Sequence, residues 1–207
     1  MPELEIVIGT KAVSSWSLRP WLALKATGQT FKETLIELHQ PDSKEKILKH
    51  SPAGQVPVLK HGSTTLWESL SICEYIAETF PAAKLWPGDP GARAVARCVA
   101  TEMHGGFGAV RAAMSMDVKK RLPTPAMTDE LKAQIARITQ LWNDSRRNFG
   151  VKLGGPFLFG RFSIADCMWA PVTTRFTTYG VTVDPVSTAY IEAMADLPDM
   201  KEWVAAA

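Results

Sequence analysis

The chain has 207 residues, 46% hydrophobic and 21% charged, enough apolar material for one large or two small domains with filled cores. Its 23 basic and 21 acidic residues leave a formal charge of +2 with no basic run, which argues against a nucleic-acid partner and for a neutral or small anionic ligand. No apolar run reaches the ~18 residues of a membrane span, and the N-terminus MPELEIVIGT lacks the pattern of a signal peptide, so the cytoplasm is the expected compartment.

Leu4 to Ile8 is a β-rich run and Phe31 to Leu38 another, with helical spacing from Trp16 to Ala26 and Gly28 to stop it. That is a β-α-β unit whose crossover makes the strands parallel. A polar helix is predicted from Asp42 to His50. Val58 to Lys60 and Thr65 to Trp67 flank His61-Gly62-Ser63 as an antiparallel hairpin, and Ser69 to Thr79 has helical period. This order is the thioredoxin-like one.

Pro81, Pro87, Gly88, Pro90 and Gly91 mark a linker. Beyond it the helix-like stretches are Ala92 to Lys120, Thr128 to Phe149, Ser163 to Tyr179 and Ser187 to Ala195, with no convincing strand. The expectation is an α/β thioredoxin-like domain over residues 1–80, a linker over 81–91 and an all-α helical bundle over 92–207. Cys73, Cys98 and Cys167 lack C-x-x-C spacing and read as reduced core residues. No metal site is expected.

Val13-Ser14-Ser15-Trp16-Ser17-Leu18-Arg19-Pro20-Trp21 puts three hydroxyls where the first strand turns into the first helix. Unsatisfied N–H groups at a helix start stabilise an anion, and a thiolate is one. A thiol of pKa about 8.5 is ~3% ionised at pH 7; lowering it two units gives roughly three-quarters thiolate, for ~2.7 kcal/mol. A serine hydroxyl, the helix terminus and Arg19 together could supply that. Ordinary N-capping is the alternative reading of the serines. Pro20 is comfortable if Ser17 is the N-cap and kinks the helix if it starts at Ser14.

Further on, Val56-Pro57 precedes the third strand, where a cis proline would expose the Val56 backbone to an extended peptide-like ligand; a trans proline opening an edge strand is the alternative. Glu68-Ser69 opens the next helix, able to hold a carboxylate and an α-amino group or to serve as a plain cap.

These three motifs, at these spacings, resemble the glutathione site of the soluble glutathione transferases, and the likeness covers essentially the whole chain. The resemblance implies that the first motif faces the sulfur, with Ser14 preferred, Ser15 second and Arg19 assisting. It implies that Val56, beside Pro57, pairs with the cysteinyl unit of glutathione, and that Glu68 and Ser69 bind the γ-glutamyl end. Gln40, Lys44 and Gln55 remain alternatives for the glycine end. The opening motif is similar to the zeta class Ser-Ser-Cys-Ser-Trp-Arg, with Trp16 where zeta has cysteine; Pro20 resembles the beta class.

In the second half, His104, Phe107 and Arg111 at spacings of three and four, and Arg175 near Tyr179, suggest an anion-accepting substrate wall, completed by Trp16, with an arginine-bearing dimer interface as the alternative reading. Ser163 to Asp166 reads as a structural capping-box variant. His39, His50 and His61 read as surface residues. The expected function is glutathione S-transferase action on a small electrophile, with glutathione as co-substrate and, by resemblance, a homodimer. A zeta-like cis-trans isomerase of a maleylacetoacetate-type acid and a non-catalytic ligand-binding module are the alternatives.

Overall fold

The computed structural model describes residues 3–207. The strands β1 (Leu4–Gly9), β2 (Lys32–Ile36), β3 (Val58–His61) and β4 (Thr64–Trp67) form one sheet of order β2-β1-β3-β4. β1 runs parallel to β2 and antiparallel to β3, and β3 pairs antiparallel with β4. β1 lies inside the sheet, so Ile6, Val7 and Ile8 are all buried. Ile6 and Ile8 join Leu18, Leu22, Ile72 and Ile76 in the main core, which contains α1 (Ser15–Lys25) and α3 (Ser69–Thr79). Val7, on the opposite face, packs with Ile36, Val58 and Ile47 of α2 (Ser43–Leu48).

The remainder is mostly helical: α4 (Pro90–Gly105), α5 (Gly108–Ala113), α6 (Asp129–Ser145), a π turn (Arg146–Gly150), the single turn α7 (Val151–Leu153), α8 (Ile164–Thr178), α9 (Pro185–Asp196) and α10 (Pro198–Ala205). Side-chain caps fix several starts. The Asp89 carboxylate accepts from Ala92 N–H at 2.7 Å, and Asp184 accepts from Val186 and Ser187 N–H at 3.0 Å each. α8 packs against α1, α4 and α9. Its Trp169 and Phe176 meet Trp142 of α6 at 5.6 and 5.5 Å between ring centroids, and Tyr190 of α9 adds its ring to Trp142 at 5.0 Å.

Several expectations need correction. The helix predicted from Ala92 to Lys120 breaks after Gly105: Gly106 is extended, where a Cβ would lie 2.7 Å from the Glu102 carbonyl oxygen, and Phe107 is left-handed at φ 63°. His104, Phe107 and Arg111 therefore do not share one helix face. α10 lies beyond the predicted helices, and Pro198 opens it in the first turn, where its missing N–H costs nothing. Cys98 is exposed, unlike the buried Cys73 and Cys167. Ser17 is not the cap of α1: Ser14 holds that position and Pro20 lies inside the helix. His50 and His61 are half-buried, His61 bonded through Nδ1 to the Tyr75 hydroxyl at 2.9 Å; His39 is exposed.

Candidate active site

The first turn of α1 carries its serines inward. Ser14 Oγ lies 2.8 Å from Ser17 Oγ, which accepts the Gly9 N–H at 3.1 Å, and all three residues are buried or nearly so. Ser15 sits one residue into the helix, 8% exposed. The hydroxyls thus form a short chain rooted in the β1 backbone at the positive end of the helix.

A cleft of about 370 Å³ is lined by Trp16, Gln55, Val56, Pro57, Glu68 and Ser69 among others; Trp16 is the residue α1 brings to it, and Ser14 and Ser15, flanking Trp16 on its N-terminal side, are not among the lining residues. The Val56-Pro57 peptide bond is cis, one of the two conformations open at the sequence level. Ser69 is the first residue of α3; its buried hydroxyl has no hydrogen-bond partner among the described residues. Glu68, just before it, adopts φ 70°, ψ 118°, a strained backbone for a non-glycine residue that costs of order 1–3 kcal/mol. Trp67, 45% exposed, and the loop residues Ala53 and Gly54 also line the cleft and were missed as site residues. An exposed tryptophan directly before Glu68-Ser69 was the available signal.

Trp16 separates this cleft from a group of cations. Arg19 lies over its ring at 4.2 Å and Arg111 at 4.9 Å, while His104 meets its edge at 5.3 Å. Arg19 is 1% exposed, and among the described residues its Nε and Nη1, Arg111 Nε and His104 Nδ1 have no partner. Burial, then the neighbouring charges of Arg111 and Arg175, pulls Arg19 down to about 9. It still carries its charge at pH 7. Burial and then Arg111 pull Arg175 down to about 10. Burial, then the Arg19 charge, lowers His104 below 6.5 although Glu68 Oε2 stands 3.9 Å from its Nε2. At pH 7 that pair is therefore not an ion pair.

Other expected site residues lie apart from the cleft lining. Arg111 Nη2 donates to the Met103 and His104 carbonyls at 2.6 and 2.8 Å, capping the end of α4. Phe107 packs on Trp169 in the core, its centroid 5.4 Å away. Arg175 Nε donates to the Met114 carbonyl at 2.8 Å, and the Tyr179 hydroxyl pairs with Ser115 Oγ at 3.2 Å, so both fasten the coil after α5. Of the three side chains considered for the glycine end, only Gln55 lines the cleft. Lys44 Nζ donates to the Gly54 carbonyl at 2.9 Å, bracing the loop, and Gln40 lies in the turn before α2 with its N–H on Ser43 Oγ at 2.9 Å. No helix among the described residues is long and apolar enough to cross a membrane, and no group of three or more His, Cys, Asp or Glu among them could hold a metal.

Known proteins place this arrangement. Residues 13–79 match the family described as glutathione S-transferase, N-terminal domain, and residues 103–206 match glutathione S-transferase, C-terminal domain. A probable maleylacetoacetate isomerase of Caenorhabditis elegans is 36% identical over 93 residues, covering 45% of this chain but only 42% of that protein. The maleylacetoacetate isomerase of Rattus norvegicus is 27% identical over 175 residues, or 84% of this chain and 78% of the rat protein. Among solved structures, a glutathione transferase homolog from Burkholderia gl BGR1 with bound glutathione superposes with a TM-score of 0.71 at 25% identity, covering 99% of this chain and 97% of that one. With both family halves matched in order along a thioredoxin-like sheet and a helical bundle, the chain belongs to the soluble glutathione S-transferase family.

Proposed function

We propose that this protein is a glutathione S-transferase that binds glutathione in the cleft before α3 and activates its thiol for addition to a small electrophile. One observation carries the reading: Val56, Pro57, Glu68 and a Ser69 hydroxyl without a partner among the described residues line one cleft with Trp16 of the serine-bearing helix start. The Val56 backbone pairs with the cysteinyl unit. Ser69 and the α3 N-terminus take the γ-glutamyl carboxylate, Glu68 its ammonium, and Gln55 the glycine end. The Burkholderia homolog, solved with bound glutathione, supports glutathione as the ligand.

Ser14 faces the sulfur in this reading, with Ser15 as second choice. Hydroxyl protons rotate, so when a thiolate arrives Ser17 can donate to Ser14 while Ser14 donates to sulfur, and the Gly9 N–H polarises the chain behind them. The thiol proton leaves to solvent, the sulfur lone pair forms the new C–S bond, and the electrophile expels its leaving group or takes up a proton. Arg19 contributes its field from behind Trp16. The protein acts in the cytoplasm, as a homodimer, in detoxification of electrophiles. Calorimetry with glutathione tests the reading: binding with micromolar to millimolar Kd supports it, and no heat at 10 mM glutathione sinks it.

Two outcomes follow from the cleft. Below the lowered His104 pKa its imidazolium pairs with Glu68 and competes with the ligand's ammonium, so glutathione affinity falls as the pH drops through that pKa. His104→Asn removes that component from calorimetric titrations at pH 5.5 and 7.5. Lys44→Ala frees the Gly54 loop and raises KM for glutathione about fivefold through loss of roughly 1 kcal/mol, with kcat nearly unchanged in steady-state assays.

A second reading is glutathione-dependent isomerisation of a maleylacetoacetate-like acid. It is favoured by relatives named as that isomerase and by Arg19, Arg111 and Arg175 standing together without an ion pair among the described residues. Glutathione-dependent turnover of that acid by the purified protein decides it; none at saturating substrate removes it.

A further inference from the structure

A cavity of about 500 Å³ lies away from the glutathione cleft, between the linker after α3, the N-terminal ends of α4 and α8, and the loop after α7. Three cations line it, Lys84, Arg93 and Arg161, and no lining residue is acidic. None of the three makes an ion pair among the described residues. The nearest carboxylate in sequence, Asp89, is occupied with the Ala92 N–H at 2.7 Å. The helix ends add partial positive charge of the same sign.

The walls are aromatic and held in place. Trp86 donates its indole N–H to Glu74 Oε2 at 2.9 Å, Phe162 is set edge-on to Phe157 at 5.5 Å, and Phe159 packs on Phe149 at 5.3 Å. Arg93 is oriented by Nη1 bonds to the Pro87 and Gly88 carbonyls at 3.1 and 3.0 Å, which leave its other nitrogens for a ligand. Ile164 N–H bonds the Leu85 carbonyl at 2.9 Å and ties the linker to α8. The result is a preformed concave site of ligand size, apolar in its walls and uniformly positive in its charged groups.

We infer that this cavity is a second binding site, for a planar aromatic phosphate monoester whose ring packs against Trp86 and Phe162, over the buried Phe159, while its phosphate meets Lys84, Arg93 and Arg161. A neutral aromatic leaves the cations unused, and a bare phosphate leaves the walls wet, so both halves of the ligand are required. The site is independent of glutathione, because it shares no lining residue with the glutathione cleft.

Calorimetry on the whole chain with 1-naphthyl phosphate, 1-naphthol and inorganic phosphate tests this. The phosphate ester binds at least tenfold more tightly than either fragment, its affinity falls severalfold from 0.05 to 0.5 M salt, and saturating glutathione leaves it unchanged. Lys84 and Arg161 are exposed, so the K84E/R161E variant is expected to fold, checked by circular dichroism, and lowers the affinity at least tenfold. Equal binding of the ester and the naphthol, wild-type affinity in that variant, displacement by glutathione, or no binding at millimolar ester each overturns the assignment.

Discussion

Ser14→Ala lowers kcat/KM for conjugation of an activated chloronitrobenzene about 10- to 100-fold, or ~1.4–2.7 kcal/mol of lost transition-state stabilisation. The loss comes from removing the terminal donor of the hydroxyl chain that runs from Gly9 N–H through Ser17. The bound thiol then ionises at higher pH, and the rising limb of the pH-rate profile moves up by about one unit. Ser15→Ala, the control, changes kcat/KM less than threefold. The reverse pattern transfers the role to Ser15; survival of both variants assigns thiolate stabilisation to the helix terminus and Arg19.

Asp166→Ala destabilises the fold by about 4 kcal/mol and lowers Tm by roughly 10 °C, read by calorimetric melting. The carboxylate is fully buried and accepts from Leu158 N–H at 3.1 Å, Ser163 N–H at 2.9 Å and Ser163 Oγ at 2.9 Å. Truncation strands three donors in the centre of the helical part. Burial outweighs these bonds and pushes Asp166 up to about 6, so between pH 4 and 6 the folded chain binds more protons than the unfolded one. This group's contribution to stability therefore decreases as pH rises through that window. The gap between the wild type and Asp166→Asn, which does not titrate, narrows over the same range.

The capping box around Asp166 was legible in the sequence because Ser163 and Asp166 act over three residues of chain. The β-α-β unit and the Gly62 hairpin were legible for the same reason, as strand and turn chemistry are local. The break at Gly106 was not, because a Gly-Gly pair inside a helical pattern is decided by where Phe107 packs, and Trp169 lies 62 positions further on. Val56-Pro57 and Glu68-Ser69, which line one cleft, stand out in the sequence as local motifs, whereas the strained backbone of Glu68 and the stacking of two arginines on Trp16 depend on elements brought together only by folding. Arg111 and Arg175 have the spacing of pocket walls in the sequence; their bonds to backbone carbonyls across loops have no sequence signature.

Trp16 belongs to the thioredoxin-like part, yet Arg111 and His104 that hold its ring come from the helical bundle. The two halves are therefore not interchangeable parts. A chimera joining this N-terminal half to the bundle of another family member removes both contacts and leaves the indole held by Arg19 alone. Retargeting acceptor choice by shuffling halves thus requires residue 16 to travel with the imported bundle.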